Sequence, residues 1–195
     1  MAETGGITMR PLRNGNAIYR TRRLVVRPLT LDDISGNYSR WFSDQEVCRC
    51  NSHGVFPQSA PQLETYVRAS AKTKDRIVWA IVDSKTGCHV GNISLQDIDP
   101  INRSAELAVI IGEKSYWGKG YAFEASALLL KHGFTKVNVL RIYCGTAATN
   151  IGMQKVALKL GMKREGKRRK ALYLNGTYVD LLEYGILKSE FAANV

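Results

Sequence analysis

The sequence predicts a single α/β domain in which a mixed β-sheet carries helices on both faces. Strand-like apolar runs alternate with segments of helical period along the chain. The stretch SAELAVIIG, residues 104–112, is apolar almost without a break, as a central strand covered on both faces must be. A length of 195 residues suffices for one sizeable core but not for two. No repeat, low-complexity tract or internal boundary interrupts the pattern. Residues 21–190 are therefore expected to fold as one unit behind a polar, glycine-rich lead-in of residues 1–20.

In order along the chain, RLVVRPL (23–29) is a strand that Pro28 stops. In TLDD, Thr30 caps a helix over 31–42 and Asp33 answers from the third helical position. A short second helix is expected over 44–49. Ser59 opens the next helix, with Leu63, Tyr66, Val67 and Ser70 on one side. IVWAIVD is a buried strand, SKTG a turn and HVGNISLQDID another strand, whose imperfect alternation implies a bulge near Gly91. After the central strand, Tyr121 to Phe134 form an amphipathic helix that presents Ala122, Ala125, Leu128, Leu129 and Phe134 to the sheet. RIYCGTA is a further strand, and a helix over about 150–160 ends at Gly161, where a left-handed residue is wanted. Asn175-Gly176 then joins KREGKRRKALYL to TYVDLLEYGIL as a hairpin.

Composition narrows the class. With 45% hydrophobic and 23% charged residues, the chain is neither disordered nor fibrous. Its apolar runs fall short of the roughly 18 residues of a membrane span, and MAETGGITMRPLRNG lacks the apolar stretch of a secretory signal. A cytoplasmic protein with no membrane partner is expected. Cys48, Cys50, Cys88 and Cys144, with His53, His89 and His132, lack the paired spacing of a zinc site. Free thiols and no bound metal are expected in consequence. The formal net charge is +11, and Lys155, Lys159, Lys163, Arg164, Lys167, Arg168, Arg169 and Lys170 crowd one region against Glu165. That block reads as a nucleic-acid or ribosome contact, as a site for a phosphorylated ligand, or as solubilising surface. No zinc-finger, KH or RRM motif accompanies it.

The segment EKSYWGKGYAFEASALLLKHGF, Glu113 to Phe134, runs from a strand end through two glycines into a helix start. Glycines let a ligand approach the backbone, and a helix N-terminus supplies free N–H groups and partial positive charge. This is neither GxxxxGK[ST] nor a dinucleotide fingerprint. Two readings remain: a cradle for phosphate, or a tight strand-to-helix connection with an aromatic plug.

Ser115-Tyr116-Trp117-Gly118-Lys119-Gly120 resembles motif A of the GCN5-related N-acetyltransferases (GNAT), which reads glutamine or arginine, two residues, glycine, one residue, then glycine or alanine. Ser115 departs from the first position. WGKGYAxEA and the later NxxxxxxxxKLG are similar to the branch that holds the ribosomal-protein alanine N-acetyltransferases. The similarity runs from about Thr21 to Lys188. The resemblance implies a six- or seven-stranded, mostly antiparallel sheet, splayed at its centre and flanked by helices. It implies acetyl-CoA as co-substrate, with the diphosphate on the backbone of Tyr116, Trp117, Gly118, Lys119, Gly120, Tyr121 and Ala122. The pantetheine arm would pair with Val109, Ile110 and Ile111, and the thioester would lie between that strand and the strand at 141–145. Asn150 matches a residue that contacts the arm, and serves equally as a helix N-cap. The Lys119 side chain, with Lys155 or Lys159, would face the phosphates, against a reading of the latter two as basic surface.

The implied reaction is acetyl transfer to a primary amine by direct attack in a ternary complex, the branch favouring a protein N-terminal α-amine. Alternatives are a small-molecule acceptor such as an amino sugar, amino acid or antibiotic, a basic ribosome-binding or nucleic-acid-binding protein, and a non-catalytic CoA-binding regulator. Because an alkylamine is protonated at pH 7, a base is needed. The resemblance points to Glu106, which shares a strand face with Ala108 and Ile110; pairing with Arg103 or Arg141 is its alternative. The tyrosine that many members carry seven residues past the asparagine is Ala157 here, and the small residue three past it is Met153. Proton return falls to Tyr143, to Tyr121 or to water. Trp41, Phe42, Tyr173 and Tyr178 are expected acceptor walls, with His53 and Glu183 beside them, against a reading of these aromatics as core. Monomer and homodimer both stay open.

Overall fold

The computed structural model describes residues 17–56 and 59–191, so residues 1–16 of the expected lead-in lie outside the described residues. Eight strands form one sheet: β1 (Tyr19–Arg20), β2 (Leu24–Pro28), β3 (Ile77–Asp83), β4 (His89–Asp99), β5 (Ser104–Ile111), β6 (Arg141–Ala147), β7 (Lys163–Leu174) and β8 (Thr177–Leu187). Their order is β1-β2-β3-β4-β5-β6-β8-β7. The count exceeds the six or seven expected because Tyr19–Arg20, placed by the sequence in the lead-in, pairs with Val25 and Val26 as an edge strand. Tyr19 is held there by a tilted contact with the Trp79 ring and an edge-on contact with the His132 ring.

Alternation along the strands divides the core in two. Leu24 and Val26 with Trp79 and Ile81 face α2 (Tyr121–His132), whose Ala125, Leu129 and Leu130 are buried against them. Val25, Ala80 and Val82 point the other way, onto Tyr38, Trp41, Leu63 and Val67. Leu63 and Val67 belong to α1 (Ala60–Ser70), which Ser59 and Gln62 open with a capping box. Helices thus cover both faces, as expected.

The helix expected over 31–42 is broken. Thr30 and Asp33 do form the capping box, but a 3-10 turn at Leu31–Asp33 gives way to a wide turn at Ile34–Tyr38, where Gly36 leaves helical geometry. Only Ser39–Trp41 is α-helical beyond it. Residues 44–49 form successive turns rather than a helix. The bulge foreseen near Gly91 falls beside it: Ile81 faces Gly91 and Val82 faces His89, so Val90 is the extra residue. Asn175 and Gly176 both take positive φ in the β7–β8 turn, and Gly161 takes φ +84° after α3 (Ile151–Lys159).

The feature that positions the site lies between β5 and β6, the parallel pair. Their register covers only Ser104↔Arg141, Ala105↔Ile142 and Glu106↔Tyr143. Beyond it β5 stays on β4 as far as Ile111, while β6 stays on β8 as far as Ala147. The two strands part, and backbone groups in the middle of a sheet lose their ladder partners.

Candidate functional site

β5 ends at Ile111, and Gly112 turns the chain under Trp41. A Cβ at Gly112 would lie 1.9 Å from the Trp41 ring, so this position tolerates no side chain. Trp41 is 3% exposed and donates its indole N–H to Glu113, which ties the 39–41 turn to the end of β5. It is therefore core, not the expected acceptor wall.

The connection to α2 then narrows the expected cradle. The Tyr116 and Trp117 amides donate to the Glu113 and Lys114 carbonyls in a 3-10 turn, so they are not open to a ligand. Gly118 and Gly120 come next with φ +70° and +83°, and a Cβ on Gly118 would meet only open space. Glu124 is the first residue of α2 to give its amide to the helix, to the Gly120 carbonyl; the amides of Tyr121, Ala122 and Phe123 precede that ladder. The cradle is thus the turn at 118–120 and the helix start at 121–123.

Arg23 secures this turn from β2's N-terminal side. Its guanidinium donates to the Lys119 carbonyl at 2.8 Å, is paired with Glu124, and stands 5.2 Å from the Tyr121 ring centre. With that carbonyl turned back to Arg23, the loop presents N–H groups rather than an oxygen. Tyr121 donates its phenol to Asp83, and burial followed by this bond raises its pKa to about 12. Locked in that contact, it is no proton donor for a reaction. The Lys119 ammonium sits 5.8 Å above the Tyr116 ring, outside the lining of the groove.

The groove in front of the cradle has a volume of about 470 Å³ and passes along Val109, Ile110 and Ile111. Its other wall is α3, including Lys155 and Lys159, so these two members of the basic block face it. Trp117 lines it too, under the Arg49 guanidinium at 4.7 Å, and gives its indole N–H to the Ile111 carbonyl at 2.7 Å. That carbonyl therefore already has a side-chain partner. Asn150 caps α3 through its side-chain oxygen, which accepts the Met153 amide at 3.1 Å. The shape fits an elongated anionic ligand: N–H groups and lysines at one end, a strand edge along the middle.

At Val109, Ile110, Asn150 and Met153 the groove meets a second cavity of about 340 Å³. Glu106 lines it at the fork of β5 and β6, where burial, then the Asp97 carboxylate, raises its pKa against the opposing Gly145 N–H and Arg168. Arg103 and Arg141, its alternative partners, are engaged elsewhere, by Asn138 and Glu165. Phe42 and His53 also line this cavity, and burial lowers the His53 pKa. Tyr143 is Glu106's register partner but lies outside the lining, beneath Arg141 at 5.8 Å. Tyr173 and Tyr178 are far more open, 59% exposed each, and line neither cavity.

Sequence reasoning passed over the cavity's polar wall of Asn92, Ser94 and Gln96. Asn92 is steadied by His89, whose Nε2 lies 2.8 Å from its Oδ1. His89 in turn leans on Asp33, with Nδ1 at 3.3 Å but poorly aligned. Asp33 is buried, which alone would raise its pKa, yet bonds from Arg27 and then the adjacent His89 ring hold it well below the usual carboxylate range. A period-2 reading of β4 shows which face these residues share, but not what faces them.

Residues 23–163 match the family described as the acetyltransferase (GNAT) domain. The chain is 29% identical over 175 residues to the uncharacterized N-acetyltransferase YoaA of Bacillus subtilis, covering 88% of this chain and 97% of the relative. It is 35% identical over 105 residues, 54% of this chain and 57% of the relative, to YdaF of Bacillus subtilis, named as a candidate ribosomal N-acetyltransferase. The crystal structure of spermidine N-acetyltransferase from Vibrio cholerae, in complex with CoA and spermine, superposes with a TM-score of 0.77. It covers 86% of this chain and 96% of that one at 24% identity, a likeness that speaks for the fold.

Proposed function

Since the chain belongs to the GNAT acetyltransferase family and is an acetyl-CoA-dependent N-acyltransferase, we propose that it acetylates a protein N-terminal α-amine by direct attack within a ternary complex. The observation that carries this reading is the fork of β5 and β6, where the groove and the second cavity join beside Glu106. Acetyl-CoA supplies a thioester-activated acetyl group. In this reading the 118–123 backbone holds the diphosphate, and the free edge of β5 at Val109 and Ile110 aligns the arm. Asn150 orients the same arm with the amide nitrogen that capping does not use.

Glu106 takes the proton that the attacking amine sheds. A carboxylate with a raised pKa is a stronger base than a solvated one, and its partial burial disfavours leaving the amine charged. A thiol is a weakly basic leaving group, so Tyr143 is not required as an acid and solvent returns the proton.

The acceptor cavity supports a monoamine. Among the described residues its lining holds one carboxylate, Glu106, together with Arg76 and the neutral Asn51, Asn92 and Gln96. A polyamine needs several acids to replace its hydration. An α-amine followed by peptide groups needs one base and several neutral hydrogen-bond partners. The test is thiol release from acetyl-CoA over a panel of N-terminal peptides, amino sugars and spermidine. The reading expects the highest kcat/KM with a peptide; release with no amine, or preference for spermidine, would contradict it.

A further inference from the structure

The basic block divides in the fold, and the part that the site does not use lies on β7. This strand closes the sheet with an unpaired outer edge, and Lys163, Arg164, Lys167, Arg168, Arg169 and Lys170 are all exposed along it. Three of them have carboxylate partners: Lys163 with Glu190, Lys167 with Asp180 and Arg168 with Glu183. Arg164 and Arg169 have none among the described residues. The ladder to β8 breaks between Arg168 and Leu172, where Lys170 takes φ +52°, so residues 169–171 bulge outward.

Lysines and a bulge on an edge are common protection against strand addition. Protection does not account for the aromatic pair at the end of the same hairpin. Tyr173 and Tyr178 are direct cross-strand partners there, each 59% exposed, with ring centres 4.9 Å apart. Burial of neither ring contributes to the core, and the hairpin needs no such pair to turn at Asn175-Gly176. An exposed aromatic pair in line with unpaired arginines offers base stacking beside phosphate contacts. From Arg164 to Tyr173 the strand runs beside Tyr184 to Tyr178 of β8, a span of roughly 20 Å, the length of a few nucleotides.

We propose that the outer edge and tip of the β7–β8 hairpin bind single-stranded nucleic acid, with Arg164 and Arg169 on phosphates and Tyr173 and Tyr178 stacking on bases. A second copy of the chain is the poorer occupant, because a two-fold contact through β7 would set like charges against each other across a bulged edge. The inference is independent of the acetyl-transfer reading and is tested without turnover.

The experiment is fluorescence anisotropy with labelled oligouridine and oligothymidine of about 15 nucleotides, and a duplex of equal length, from about 50 to 200 mM salt. The wild-type protein binds both single strands more tightly than the duplex; a tenfold preference for oligouridine identifies RNA as the source, and equal affinity leaves the stacking-and-phosphate chemistry as stated. R164S/R169S lowers the slope of log K against log salt by about 1.4, at roughly 0.7 per lost phosphate contact. Y173S/Y178S weakens binding about tenfold or more at every salt concentration and leaves the slope unchanged. Melting temperature and acetyl-CoA affinity establish that each variant is folded. No binding near 50 mM salt, equal affinity for duplex, undiminished affinity in the tyrosine variant, or dimerisation abolished by the arginine variant would each overturn the proposal.

Discussion

The groove and the second cavity share a wall at Cys50, Asn51, Val109, Ile110, Asn150 and Met153, yet they are made of different material. The groove takes one strand edge, two left-handed glycines and a helix start from the continuous stretch 109–123, and residues 46–51 and α3 add its side-chain walls. The cavity is mainly side chain: Phe42, His53, Arg76, Asn92 and Glu106 come from segments far apart in sequence. Backbone recognition suits a ligand that never changes. Side-chain recognition lets the choice of acceptor be set apart from the groove. Substitutions should therefore separate into those that alter cofactor affinity and those that alter the acceptor or turnover.

The sharpest separation is expected from Glu106→Gln. Its kcat at neutral pH falls by about 10²–10⁴-fold while acetyl-CoA affinity is kept, with partial recovery at high pH as the amine deprotonates itself. The same change reports on stability. Burial raises the Glu106 pKa in the folded state, so the folded chain holds that proton to higher pH than the unfolded chain. Ionising it is a cost that grows as pH rises past its unfolded value, near 4.3. The variant should melt higher than wild type at neutral pH, with the difference vanishing toward about pH 4. A weaker cofactor affinity instead would merge the two regions.

Arg23→Gln releases the Lys119 carbonyl and should weaken acetyl-CoA binding about tenfold, with kcat nearly kept; an effect on kcat alone would exclude the positioning role. Asn92→Ala should raise the acceptor KM about fivefold and leave acetyl-CoA affinity unchanged, checked by steady-state kinetics at saturating cofactor. The smallest effect is expected from Lys119→Ala, less than about threefold on acetyl-CoA affinity by calorimetry, because its ammonium rests over Tyr116 outside the groove.

The contrast of materials also explains what was legible in the sequence. β5, the glycine turn and the N-cap Asn150 were readable because each is a local pattern with a local consequence. The cavity was not, because no periodicity says that Asn92 on β4 faces the segment 42–53. Trp41 and the Tyr173–Tyr178 pair show the same limit from opposite sides. An aromatic side chain looks alike in sequence whether it plugs the space beside Gly112 or stands open on a hairpin. The helix expected over 31–42 failed at Gly36, whose freedom from helical geometry breaks the run; Phe42 reaches the cavity from the end of the 39–41 turn, and His53 from the turns that follow.

The central claim is that the 118–123 backbone forms an anion cradle facing the gap between β5 and β6. Calorimetric titration of acetyl-CoA into wild type and Gly120→Asp tests it most directly, since a Cβ there lies 3.4 Å from the Arg23 guanidinium at φ +83°, so the new carboxylate brings negative charge to the turn and competes for the arginine that holds it. The account predicts binding in the micromolar range for wild type and a loss of about 100-fold or more in the variant, with its melting transition retained. Equal affinity in the two proteins would contradict it.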